Sequence, residues 1–324
     1  MTELTLHPDR LFPADPVVRD IARRLYQQIA HLPIVSPHGH TDPRWFAKDE
    51  SFENATRLLL LPDHYVFRML YSQGISLESL GIRRKDGVAV ESDYRKIFHI
   101  FANHYHLFRG TPSRIWLDSV FHDVFGLRQT LTAASADFYY DEINRQLNTD
   151  AFRPRALLDK FNIEFIATTE GALNDLQYHA ALKGTGYEKR VVTTFRPDDV
   201  VDADRADFAD NIAKLAEITG EDTTNYQGYL QALRIRRQVF REHGATATDH
   251  GHPTAKTADL SATEAAALYQ KCLAGNANSQ ETELFRAQML TEMAGMSLVD
   301  GMTMQIHPGA HRNHNSQIFQ KFGP

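Results

Sequence analysis

Two stretches decide the fold class: Asn162-Ile163-Glu164-Phe165-Ile166-Ala167-Thr168-Thr169 and, after a segment with helical spacing, Arg190-Val191-Val192-Thr193-Thr194-Phe195. Both runs are short, largely apolar and rich in β-branched residues, which suit a pleated, packed surface. Two such runs joined by a helix read as a βαβ unit with parallel strands. Working outward, Ile34-Val35-Ser36 is a further run of this kind, closed downstream by Pro37 and Pro43, and it reads as a buried strand. Ala245-Thr246-Ala247-Thr248-Asp249 and Met302-Thr303-Met304-Gln305-Ile306-His307 complete the set. Helical spacing over residues 174–183, 208–218, 226–242 and 262–296 fills the connections. The pattern predicts an α/β fold with five parallel strands met in chain order.

Upstream the texture differs. Residues 15–31 have helical spacing with Val17, Ile21, Leu25 and Ile29 on one stripe. From 44 to 154 helical runs (52–61, 62–72, 93–108 and 113–125) replace strands almost entirely. The expected organisation is therefore an N-terminal helix and first strand over 1–43, a helical insertion over 44–155, and strands two to five over 156–324.

Composition narrows the setting. The chain has 324 residues, 42% hydrophobic, with a formal charge of −6. That is enough apolar material for a sizeable core, and no basic field for nucleic acid or an anionic membrane. Its one cysteine, Cys272, excludes an internal disulfide and a thiolate metal cage, and fits a reducing compartment. Met1-Thr2-Glu3-Leu4 lacks the basic and apolar regions of a signal peptide, and no apolar stretch approaches the roughly 18 residues that cross a bilayer. The expectation is a soluble cytoplasmic protein.

The chemistry gathers where the strands end. In Ser36-Pro37-His38-Gly39-His40, side chains two apart on an extended backbone point the same way, so His38 and His40 aim two imidazoles at one point. Two convergent imidazoles are half of a zinc-type site. Strand two ends in Thr168, Thr169 and Glu170, strand three in Arg196, strand four in Asp249 and His250, and strand five in His307. The C-terminal strand edge is where (β/α)₈ barrels build active sites. Blander readings stand beside these: Asp249-His250-Gly251-His252 as a turn, and Arg196 as an ion-pair partner of Asp198 and Asp199.

Ser36-Pro37-His38-Gly39-His40 resembles the first-strand metal motif of the amidohydrolase superfamily, and the fuller set is similar to its uronate isomerase family. The matching segments are Pro33 to Pro43, Pro62-Asp63-His64-Tyr65-Val66-Phe67-Arg68, Phe165 to Glu170, Thr194-Phe195-Arg196-Pro197-Asp198, Thr248-Asp249-His250-Gly251, and Gln305-Ile306-His307-Pro308-Gly309 with Arg312-Asn313. The resemblance implies a distorted (β/α)₈ TIM-type barrel with a long helical insertion after strand one. It implies a divalent metal, zinc foremost, held by His38, His40 and His307. His64, Tyr65 and Arg196 become catalytic candidates, and Arg68, His250, Arg312 and Asn313 substrate-binding ones. A small hexuronate is the expected partner, with no nucleic acid or membrane, and a homo-oligomer is left open.

The family's barrel has eight strands, with an aspartate ligand and a nearby arginine from strand eight. Five strands are legible here, so the resemblance implies three further βα units in the full polypeptide. It also implies an open arc and a half-walled site in the residues at hand.

The segment from Pro62 can be read by itself. Proline and Asp63 suit a first helical turn, Val66, Phe67, Leu70 and Tyr71 make an apolar face, and His64 and Arg68 share another stripe. The bland alternative is a surface stripe with a half-buried Tyr65.

The implied activity interconverts D-glucuronate and D-fructuronate, or D-galacturonate and D-tagaturonate, by proton transfer through an enediol, or by a direct hydride shift. Such a reaction needs a base over one carbon and an electrophile for the neighbouring oxygen. Arginine suits a uronate carboxylate because its planar fork makes paired hydrogen bonds. The rivals are a metal-dependent amidohydrolase or lactonase acting on a sugar acid, and a non-catalytic sugar-acid binding protein.

Overall fold

The structure, a computed structural model, describes residues 2–323. The chain forms two compact units, one of residues up to 33, 49–161 and from 312 onward, the other of residues 34–48 and 162–311.

The first unit is helical. Phe98, Phe101, Tyr105, Phe108, Phe121 and Tyr139 are buried at its centre. Their rings meet edge to face, as Phe121 and Tyr139 do with centroids 5.0 Å apart at 88°, the geometry that ring quadrupoles favour. The run expected over 93–108 is an α-helix, Tyr94–Asn103, followed by a 3₁₀ turn, Tyr105–Phe108. His104 marks the break, its Nδ1 donating to the Ile100 carbonyl at 2.8 Å. The segment 113–125 likewise divides into Pro112–Ser119 and a π turn, Val120–Val124. The helix expected from Pro62 starts two residues later, at His64. Asp63 is its cap, accepting from the Tyr65 N–H at 2.8 Å, rather than a residue of the first turn. The helix Pro16–Ile29 is present, but its apolar stripe faces solvent: Val17 is 70% and Leu25 63% exposed.

The second unit carries the parallel strands: β1 (Ile34–Ser36), β2 (Ile163–Ala167), β3 (Glu170–Gly171), β4 (Val191–Val192), β5 (Phe195–Arg196), β6 (Ala247–His250) and β7 (Thr303–Ile306). They order as β1-β2-β4 and β3-β5-β6-β7. The two sheets are one ladder bent in the middle. Ile166 N–H bonds Arg190 O, Thr168 N–H bonds Val192 O at 2.8 Å, Glu170 N–H bonds Thr194 O at 3.2 Å and Ala172 N–H bonds Arg196 O. Each of the expected strands two and three is therefore two short strands in line. The five-strand succession is observed in chain order. The helix expected over 262–296 is two, Ala262–Leu273 and Ser279–Asp300; Asn278 starts the second with a reciprocal cap to Glu281.

One expectation is corrected. The first strand is not buried, because Ile34 and Val35 are 50% and 58% exposed. Among the described residues β1 pairs only with β2, so its other side has no strand to cover it. The core of this unit lies instead between the sheet and its helices, around Phe195, Tyr229, Phe240, Tyr269 and Phe285.

Candidate functional site

The parallel register of β6 and β7 sets Asp249 beside Gln305 and His250 beside Ile306. Paired residues of parallel strands share a face, and side chains alternate, so Asp249, Gln305 and His307 all face one way. Asp249 is completely buried. Its Oδ1 lies 2.5 Å from His307 Nε2 and 3.8 Å from His38 Nδ1. Its Oδ2 has no hydrogen bond and stands 3.3 Å from Arg196 Nη1. Candidate ligand atoms of His38, Asp249 and His307 all fall within 4.8 Å of one another.

His40 stands outside this triad but next to it, its ring meeting that of His38 edge to face with centroids 5.0 Å apart. The His38 ring is also 5.7 Å from that of His307. Burial lowers the His40 pKa, and the neighbouring His38 and Arg196 lower it further, which favours the neutral, metal-binding form. The loop that carries both histidines is pinned to the end of β2. Thr169 Oγ1 donates to the Gly39 carbonyl at 2.8 Å. A Cβ at position 39 would lie only 3.1 Å from the Ala167 carbonyl oxygen, so the close approach calls for glycine.

Arg196 is held by Asp198, Nε to Oδ2 at 2.8 Å. The Asp198 Oδ1 accepts the Gly251 N–H at 3.2 Å. A Cβ on Gly251 would meet Arg196 Nη2 at 2.2 Å, so glycine there makes room for the guanidinium. The ion-pair reading of Arg196 is thus realised alongside its contact with Asp249. His250 points away from Asp249, into the sheet's packed side. It is fully buried, bonded to Thr248 Oγ1 at 2.8 Å, and its Nδ1 lacks a hydrogen bond. Burial pushes its pKa down to about 3.

The remaining candidates lie in the helical unit. His64 and Tyr65 are exposed on the helix His64–Ser72, their rings stacked with centroids 4.5 Å apart, and the Arg68 guanidinium is 5.9 Å from the Tyr65 ring centre. Arg312 and Asn313 are exposed, Asn313 with a φ of 56°.

Two roles are not legible in the sequence, those of Asp249 and Gln305. Asp249 is named there as a strand end and within a matching segment but not as a ligand, because its place beside His307 comes from the pairing of β6 with β7. Gln305 carried no signal. Glu170, named as the end of strand two, belongs to a buried polar group behind β2: its Oε2 accepts from Thr193 Oγ1 at 2.5 Å and Thr168 Oγ1 at 2.9 Å, with His179 Nε2 3.0 Å from Thr168 Oγ1.

Two imidazoles and a buried carboxylate are a nitrogen–oxygen donor set of the kind that holds zinc and its divalent neighbours. Asp249 Oδ1, buried and facing both imidazoles, fits a bound cation at this point, while Oδ2 faces the Arg196 guanidinium. Among the described residues no helix is long and apolar enough to cross a membrane.

Fold and site together define an α/β protein of parallel βα units with a candidate metal triad at the C-terminal strand edge. Comparison with known proteins makes the class specific. The family model for glucuronate isomerase matches residues 16–324. Uronate isomerases of Xanthomonas euvesicatoria and Rhizorhabdus wittichii are each 59% identical over 320 residues, 99% of this chain and 68% and 67% of theirs. The crystal structure of glucuronate isomerase from Caulobacter crescentus superposes with a TM-score of 0.95 at 54% identity, over 99% of this chain and 67% of that one. A uronate isomerase structure from Thermotoga maritima shares the fold, with a TM-score of 0.89 at 24% identity, over 99% of this chain and 68% of that one. The chain belongs to the glucuronate isomerase family.

Proposed function

We propose that this chain works as a uronate isomerase, interconverting D-glucuronate and D-fructuronate, and D-galacturonate and D-tagaturonate, at a divalent-metal centre. His38, His40, Asp249 and His307 would hold the ion, with zinc the best match to the donors. The observation that carries this reading is the convergence of His38, Asp249 and His307 at the C-terminal strand edge in a chain of this family.

A bound divalent cation supplies Lewis-acid stabilisation of negative charge on the substrate oxygen next to the carbon that gives up its proton. The chain's own groups do the rest. Arg196, held in place by Asp198, has N–H groups left to orient a hydroxyl or the carboxylate of the sugar acid. Tyr65 is suited to passing a proton between adjacent carbons, its hydroxyl oriented through stacking on His64. Arg68, Arg312 and Asn313 are suited to the uronate's carboxylate and hydroxyls. In this reading 1–43 and 156–324 carry the N-terminal helix and the barrel-type strands, and 44–155 is the helical insertion. The reaction takes place in the cytoplasm.

The test is to incubate the protein with D-glucuronate and follow the keto sugar, before and after chelation and zinc restoration. Keto-sugar formation that chelator abolishes and zinc restores is expected. Hydrolysis of a uronolactone without keto-sugar formation would transfer the chain to the metal-dependent hydrolases.

A further inference from the structure

We infer that Gln305 is a positioning residue that selects the tautomer of His38, and with it the ring nitrogen offered to a cation. The inference rests on the metal-centre reading and adds to it a residue that determines how the centre is assembled.

The amide of Gln305 bridges two points on the segment that follows β1. Its Nε2 donates to the Pro37 carbonyl at 2.8 Å. A carbonyl oxygen only accepts, so the NH₂ end of the amide is the end that faces Pro37. The oxygen end therefore faces the ring, and Oε1 lies 2.9 Å from His38 Nδ1. An amide oxygen has no proton to give, so Nδ1 must carry it. A neutral imidazole protonated on Nδ1 keeps its lone pair on Nε2, which makes Nε2 the nitrogen free for a metal.

The backbone explains why Gln305 can do this. Its register partner is Asp249 and its neighbour two residues on is His307, so one face of β6 and β7 delivers a carboxylate, an imidazole and the amide together. The loop is then held from both sides, by Gln305 on Pro37 and His38 and by Thr169 on Gly39. Without the amide, the proton on His38 Nδ1 loses its hydrogen-bond acceptor, because Asp249 Oδ1 at 3.8 Å is beyond hydrogen-bond reach, and the ring loses its fixed tautomer. Partners that orient a ligating histidine are typically worth about 10–100-fold in metal affinity.

Three proteins test this: the full chain, Gln305→Leu, which keeps the shape and removes both bonds, and Gln305→Glu, which keeps an acceptor for Nδ1–H. Zinc affinity is read by competition with a chromophoric chelator. The His38 tautomer is read from long-range ¹⁵N–¹H correlations of ¹⁵N-histidine protein, with His38→Ala assigning the signal. The expected result is an Nδ1–H His38 in the parent and in Gln305→Glu. In Gln305→Leu a mixed tautomer and about 10–100-fold weaker zinc binding are expected, with an unchanged circular dichroism spectrum. An Nε2–H His38 in the parent overturns the inference, as does a Gln305→Leu affinity within about twofold of the parent, well short of the usual range. Should Gln305→Leu fail to fold, the parent tautomer and Gln305→Glu still decide. A parent that binds no zinc defeats the metal-centre reading alone, because the tautomer spectra still report what Gln305 does to His38.

Discussion

Asp249 Oδ1 lies 2.5 Å from His307 Nε2, across two parallel strands whose ladder continues through the His307 N–H bond to the His250 carbonyl. A fully buried carboxylate must be compensated. Arg196 compensates one oxygen at 3.3 Å, and the other looks toward two imidazoles.

Asp249→Asn keeps the size of the side chain and removes the charge. It is expected to lower zinc affinity and to cut kcat/KM by at least about 100-fold, roughly 2.7 kcal/mol of transition-state stabilisation. Equilibrium dialysis with metal analysis, alongside kinetics on D-glucuronate, checks both. A variant with parental metal content and rate would remove Asp249 from the centre.

Tyr65→Phe deletes one hydroxyl on an exposed helix face. If that hydroxyl handles the proton, kcat falls by about 10²–10⁴-fold while metal content and the unfolding midpoint stay at the parental values. Unchanged turnover would reduce Tyr65 to a stacking partner of His64.

Arg237 is almost fully buried, its Nε and Nη2 bonded to the two oxygens of Asp300 at 2.6 and 2.9 Å, with Ser297 Oγ a further acceptor at 2.9 Å. Arg237→Met strands a partly buried carboxylate and is expected to destabilise the fold by about 3–5 kcal/mol. Arg237→Met with Asp300→Asn should cost less than the two single changes summed, because the pair shares one interaction. Urea unfolding gives the numbers, and a loss under about 1 kcal/mol for Arg237→Met, the scale of an exposed pair, would contradict the burial argument.

His179 sets an acid limit. Burial pushes its pKa down to about 4, from 6.5, with the His243 charge adding to the effect. Between pH 6.5 and 4 the unfolded chain takes up a proton that the folded one refuses. The stability present above 6.5 is therefore lost as pH falls, by about 1.4 kcal/mol per unit, and the loss levels off below about 4. Glu170, 3.8 Å away, acts in the opposite sense: burial raises its pKa, so its contribution is present at low pH and fades as pH rises. His179→Gln should therefore lose up to about 2 kcal/mol less stability than the parent between pH 7 and pH 5. Identical losses in the two proteins would show that His179 is not the titrating group.

Cys272 is buried, and burial raises its thiol to about 12. The thiolate is the reactive form, so the native protein should be inert to a disulfide reagent at pH 8 and release one equivalent once unfolded. Rapid reaction of the native state would show that this part of the helix Ala262–Leu273 opens readily.

Much of this protein can be read from local chemistry alone. The β-branched runs, the prolines and glycines that close them, and the period-two placement of His38 and His40 are properties of neighbouring residues, so the five strands and half of the site were legible. Breaks within elements were less so. The division of the expected strands two and three depends on how neighbouring strands bend, and the break at His104 on a ring nitrogen reaching back four residues to a carbonyl.

What only the tertiary structure decided is everything that depends on register between distant segments. Whether Asp249 or His250 faces the triad follows from the pairing of β6 with β7, since a shift of one residue would exchange them. That Gln305 reaches His38, 267 positions away in the chain, depends on the same register and on the course of the loop after β1. The exposure of Ile34 and Val35 likewise reflects the number of strands beside β1, which apolar character cannot reveal. Residue types along the chain determined which chemistry was available; the lateral alignment of the strands determined which of those groups meet.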